Sequence, residues 1–149
     1  MSAFAAVLMK VLKFIALVLS LTGIADSVYL TVHHYTAEPV PCDLTNGCEQ
    51  VLTSAYAELW GLPLAAYGAA AYFVAFCLIV FSIYGNRITW KLLGIQVTLM
   101  ALFSCWLIYV QAYYIGAFCQ FCLLSAFTTF SLFTVFLISL AVGRRSGLT

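Results

Sequence analysis

Four long apolar runs, 11–32, 62–84, 89–111 and 118–142, alternate with short polar connections along the 149 residues of this chain. Each run is long enough to cross a hydrocarbon layer of about 30 Å, which takes roughly 20 helical residues at about 1.5 Å apiece. None shows the apolar–polar alternation of a half-buried strand, and only helices or closed barrels satisfy their backbone in lipid. The pattern predicts an all-α integral membrane protein, a four-transmembrane-helix bundle that takes in residues 1–149 as one domain. The longest connection, 33–61, ends in a second pattern. Val51, Leu52, Ala55 and Leu59 recur on one side, with Glu49, Gln50, Thr53 and Glu58 mostly opposite. A short amphipathic helix capping the outer end of the bundle is expected there. Trp60 would sit in the interfacial belt, and Pro63 in the first turn of the second span.

Composition supports the same class. Hydrophobic residues make up 65% and charged residues 7%, against roughly 25% charged in soluble domains. A soluble fold of this size could not hide so much apolar surface. The net charge is +1, so nothing points to nucleic acid, and membrane lipid is the expected surrounding. Charge placement sets orientation. Lys10 and Lys13 head the first run, Arg87 and Lys91 join the second and third, and Arg144 and Arg145 follow the fourth. The other two connections carry no Lys or Arg. By the positive-inside rule both termini face the cytoplasm and 33–61 lies outside. All five acids, Asp26, Glu38, Asp43, Glu49 and Glu58, lie in or near that outer connection. The first run follows two lysines, as in a secretion signal, but it exceeds a signal core and lacks a convincing cleavage site. It reads as an uncleaved anchor.

Six cysteines turn the picture from scaffold to chemistry. Cys42 and Cys48 bracket Asp43-Leu44-Thr45-Asn46-Gly47, where Asn46-Gly47 favours a tight turn that draws the sulfurs together. So small a ring gains little loop entropy from a disulfide. It suits exchange better than bracing, with a loop staple as the alternative. Cys119 and Cys122 form Cys-Gln-Phe-Cys at the start of the fourth run. Residues i and i+3 share a helix face, and a Cα separation of about 5 Å lies within disulfide range. The first turn of a helix also stabilises a thiolate through its free N–H groups and dipole. Both pairs fall on the extracytoplasmic side, where disulfides persist. A structural disulfide or a metal clip is the other reading of 119/122. Further ligands would have to come from His33 and His34, and adjacent side chains on a helix point apart. Cys77 and Cys105, inside the second and third runs, are expected to pack as small hydrophobes. An apolar chamber under a lid, beside a reactive dithiol, would dock a lipid-soluble electron acceptor.

Taken together, the chain resembles the vitamin K epoxide reductase family in its prokaryotic form. The residues that carry the likeness are Cys42-Asp43-x4-Cys48, Ser54 six positions past the second loop cysteine, Trp60-Gly61-Leu62-Pro63, and Cys119-Gln-Phe-Cys122. It covers almost the whole chain. The resemblance implies a bundle built around a quinone (ubiquinone, menaquinone or a vitamin K form) in a plasma or inner membrane. A separate extracytoplasmic thioredoxin-like protein, not fused to the chain, would deliver electrons to the loop pair, attacking at Cys42. Cys48 would then attack Cys119, and Cys122 would pass the electrons to the quinone, supporting disulfide formation. Ser54 and Leu64 are implied quinone-pocket residues together with Cys122. Leu64 and Ala126 stand where vertebrate members carry a polar residue and a Tyr, which favours a plain quinone over the epoxide.

Four other readings compete. A vitamin K quinone or epoxide reductase proper is the nearest, and a Dsb-type quinone reductase carries its Cys-x-x-Cys before, not after, its wider pair. A cysteine-based heavy-metal carrier or a structural scaffold would need no acceptor.

Overall fold

The computed structural model describes residues 2–146. Four helices are long and apolar enough to cross a membrane. They are α1 (Ser2–Thr36), α3 (Leu64–Ile83), α4 (Arg87–Val110) and α5 (Gln120–Ser146). The expected multi-pass bundle is present. α1 at both ends, α4 at its start and α5 at its end overrun the expected boundaries, because the helix continues into polar flanks beyond the hydrocarbon-crossing part, while α3 lies within 62–84. α1 is the extreme case, starting nine residues before the expected 11 and ending four after 32. A five-residue π-helical turn, Gln111–Ile115, prolongs α4. α5 starts two residues after the expected 118, which leaves Cys119 just ahead of it.

α1 packs on α3 and α5, and α4 packs on the same two helices from the other side, so α1 and α4 face each other across the ring. Successive helices run in opposite directions, which gathers all six basic residues toward the end away from 37–63. Lys13 illustrates how that end tolerates charge. Its Nζ donates to Ser82 O at 2.6 Å and lies 5.6 Å from the Trp90 ring, so its stem stays in the apolar layer while its charge is held at the rim. The core there is Leu12, Ala16, Ile79, Leu93, Val97, Leu132 and neighbours. Trp90 Nε1 satisfies itself on Ser139 Oγ at 2.9 Å.

Where α1 meets α3, Gly23 lets the chains close up. A Cβ there would run into the Tyr72 ring. That ring is fixed, because Tyr72 Oη donates to Ser125 O and accepts from Thr129 Oγ1, both at 2.7 Å. Gly23→Ala should therefore destabilise by about 1–3 kcal/mol through overpacking. Thermal unfolding of the purified protein should show a midpoint several degrees lower, and an unchanged midpoint would refute the close fit.

The segment between α1 and α3 departs from expectation. The capping helix is present as α2 but spans only Cys48–Leu52. Thr53 and Ser54 end it: Thr53 Oγ1 and N both turn back to Glu49 O, and Ser54 Oγ donates to Val51 O at 2.7 Å. Such local side-chain bonds compete with helix continuation. The remaining stretch forms a two-stranded antiparallel pair, β1 (Glu58–Leu59) with β2 (Leu62–Pro63). Its two-residue turn is Trp60-Gly61, both at positive φ. Trp60 is exposed, as an interfacial anchor requires. Pro63 sits one residue earlier than expected, as the cap of α3 rather than in its first turn.

Candidate active site

The loop pair is a disulfide. Cys42 and Cys48 are bonded with their Cα atoms 6.0 Å apart, and Asn46 takes a left-handed φ of 51° in the turn between them. The bond is asymmetrically placed: Cys48 is fully buried and Cys42 half-buried. Cys48 shares a buried cluster with Val51 and Cys119, to which Cys42 and Cys122 also pack. The four cysteines expected to work together are thus gathered at one end of the bundle. Cys77 and Cys105 are elsewhere, partly buried and exposed on α3 and α4.

Three residues outside the cysteines hold this end together; sequence reasoning missed the two glutamines and read Gly47 only as part of a tight turn. Gln111, buried in the π turn, accepts from Cys119 N through Oε1 at 3.0 Å, so it caps α5 where no Ser or Asp stands. Gln120, inside the Cys-x-x-Cys, receives Leu44 N at 3.1 Å and donates to Pro41 O at 3.3 Å, clamping the loop on both sides of Cys42. Gly47 lies against the backbone of Phe118 and the Cβ of Ala117, with no room for a side chain. A glutamine in an otherwise apolar run is the one signal that could have flagged Gln111.

Cys119 precedes the spanning part of α5 and is fully buried. Its thiol is pulled down from the ordinary range to about 7, first by the Cys122 thiol that donates to it and then by the N–H groups of Cys122 and Phe121. Burial works against that shift. The arrangement leaves Cys119 as the nucleophile of its pair.

Behind Cys122 a cavity of about 350 Å³ runs between the helices. It is lined by Cys122 from α5, Leu52 and Ser54 from the lid, Leu64 and Ala126, with Asp26 and Tyr72 below. The expected pocket residues Ser54 and Leu64 both reach it, though the Ser54 proton is directed to Val51 O. His34 lines the upper wall and its Nε2 meets Glu58 Oε1 at 3.3 Å, while His33 approaches Glu38 O. Neither histidine is spent on the cysteines. The volume suits a ring-shaped ligand, and the wall is apolar apart from a few polar groups. The sequence model of the Vitamin K epoxide reductase family matches residues 14–137. The chain belongs to this family. Its match takes in both cysteine pairs, the lid and nearly all of the bundle. Membership of the vitamin K epoxide reductase family makes the protein an oxidoreductase of quinone-linked thiol–disulfide chemistry in general terms.

Proposed function

We propose that the protein oxidises the dithiol of a separate thioredoxin-like protein and reduces a membrane quinone. The observation that carries this reading is the continuity from Cys42 through buried Cys48 and Cys119 to Cys122 on the cavity wall. Cys42 is the half-exposed end and receives the partner's thiolate. That attack breaks Cys42–Cys48 and frees the Cys48 thiolate, and the partner's second thiolate then releases Cys42 as its own disulfide closes. Cys48 attacks the Cys119–Cys122 disulfide at Cys119, which frees Cys122. Cys42 displaces Cys119 from Cys48, which restores the loop disulfide and leaves Cys119 and Cys122 reduced. Each step is ordinary thiol–disulfide exchange. The pair Cys119/Cys122 then gives up two electrons and two protons to the quinone and becomes a disulfide again. Leu52, Leu64 and Ala126 would hold the ring by apolar contact. Leu64 and Ala126 offer no hydroxyl or amide to an epoxide oxygen, which supports a plain quinone. The positive-inside pattern supports an outward-facing site with both termini in the cytoplasm of a plasma or inner membrane.

The test uses the protein in lipid nanodiscs with dithiothreitol as donor and ubiquinone, menaquinone and vitamin K quinone as acceptors in turn. At least one acceptor should be reduced with one dithiol oxidised per quinone, and no reduction of any of the three overturns the proposal. In cells, Cys48→Ala should retain the partner as a mixed disulfide on Cys42. Recovery of no thioredoxin-like protein there would remove the partner from the scheme.

A further inference from the structure

By sequence Asp26 falls inside the first run, 11–32, near the outer connection. It lies inside α1, ten residues before Thr36, or about 15 Å along the helix. It is the only buried acid among the described residues, at 8% exposure. Neither carboxyl oxygen has a hydrogen-bond partner among them. An ionisable side chain in the membrane layer without a partner is costly and is kept where it does work. Its surroundings show which work. Asp26 lines the cavity that Cys122 opens into, on the same wall as Tyr72. The other titratable groups on that wall are His34 on α1, Tyr67 on α3 and Tyr56 from the lid, while α4 brings none.

Reducing a quinone requires protons at its carbonyl oxygens, inside a space whose walls are mostly apolar. The other polar groups at the cavity are hydroxyls, an amide and a histidine; hydroxyls such as those of Ser27, Ser104 and Tyr56 are too weakly acidic to give up a proton near neutral pH, and others are committed. Tyr72 Oη donates to Ser125 O, Ser54 Oγ to Val51 O, and Gln111 Oε1 holds Cys119 N. Asp26 is the only carboxylic acid on the wall, and both its oxygens are free. We propose, on the quinone reading above, that Asp26 is the proton carrier of the cavity. As the uncharged acid it gives its proton to one carbonyl oxygen of the quinone and regains one from the Cys122 thiol. The second proton leaves Cys119, which does not line the cavity, through its hydrogen-bond partner Cys122 and then Asp26 to the other oxygen. The two sulfurs lose two electrons and form their bond, the quinone gains two electrons and two protons, and Asp26 ends as it began.

The test compares wild type, Asp26→Asn and Asp26→Glu in nanodiscs, each reduced with dithiothreitol, freed of it, and mixed with a short-chain ubiquinone. Asp26→Asn should slow the single-turnover quinone step about a hundredfold, the usual scale for a lost general acid. Asp26→Glu should stay within about tenfold of wild type, and reduction of Cys42–Cys48 by dithiothreitol should not change. Infrared spectra of the reduced wild type should carry the carbonyl stretch of a protonated carboxylic acid, absent from Asp26→Asn. An undiminished rate in Asp26→Asn, or no such band in the wild type, overturns the assignment. Should Asp26→Asn unfold, the Asp26→Glu rate and the wild-type band decide the matter. A wild type that reduces no quinone sinks the functional reading instead, so the two failures are distinct.

Discussion

Cys122→Ser should bring quinone reduction down by on the order of a thousandfold or more, as removal of a covalent catalyst does, and the protein should come to rest as a Cys48–Cys119 disulfide. The starting state is the one seen here, with Cys42–Cys48 bonded and Cys119 free. Cys119 and Cys48 are both fully buried in one cluster, so attack by the Cys119 thiolate on Cys48 needs little rearrangement and frees Cys42. In the intact protein Cys122, one helical turn on, resolves that bond by closing onto Cys119. Serine cannot, so the only way out is return of Cys42 to Cys48, and alkylation of the freed Cys42 closes it. Digestion without reductant should therefore yield a peptide pair joined through 48 and 119, with Cys42 open to alkylation. The same digest of wild type should show mostly Cys42–Cys48. A Cys122→Ser protein whose loop disulfide remains whole would disconnect the two pairs and end the relay.

The bundle was legible because a twenty-residue apolar run has one workable conformation in lipid. The cysteines were legible because their spacing is local: six positions around an Asn-Gly turn, and three along a helix. What escaped depends on contacts between distant segments. Gln111 matters only because a π turn aims it at Cys119 N, and Gln120 only because the loop folds back over α5. Gly47 reads as the glycine of a tight Asn-Gly turn, yet its φ of −112° is open to any residue. Its small size is what counts. The lid helix was overextended because apolar periodicity continued past Thr53 and Ser54, whose hydroxyls close the helix. Asp26 lay within the first run but was counted only with the acids near the outer connection, so its depth, the signal of a role, was passed over.

The steric role of Gly47 has the second largest expected consequence. A Cβ at this position would lie 2.8 Å from Phe118 O, 3.0 Å from Ala117 Cβ and 3.1 Å from Phe118 N. These are mostly backbone atoms of the segment that leads into Cys119, held by the Gln111 cap, and they cannot rotate away as a long side chain would. Gly47→Val must therefore push the loop outward, carrying Cys48 with it. The disulfide stays intact, since Cys42 moves with the same loop. A displacement near 1 Å in a reacting pair costs about a hundredfold in rate, and that is the expected drop for transfer between Cys48 and Cys119. Opening of Cys42–Cys48 by an added dithiol, which needs only the half-exposed Cys42, should proceed at the wild-type rate. Gln120→Ala removes two hydrogen bonds to the loop but no steric support, and should slow the same transfer only a few-fold, as net values of about 1 kcal/mol per bond allow. The decisive comparison is the rate of Cys48–Cys119 formation in a Cys122→Ser background, with and without Gly47→Val. Equal rates would mean that the loop reaches Cys119 by large excursions and that its seat against Phe118 has no part in the exchange.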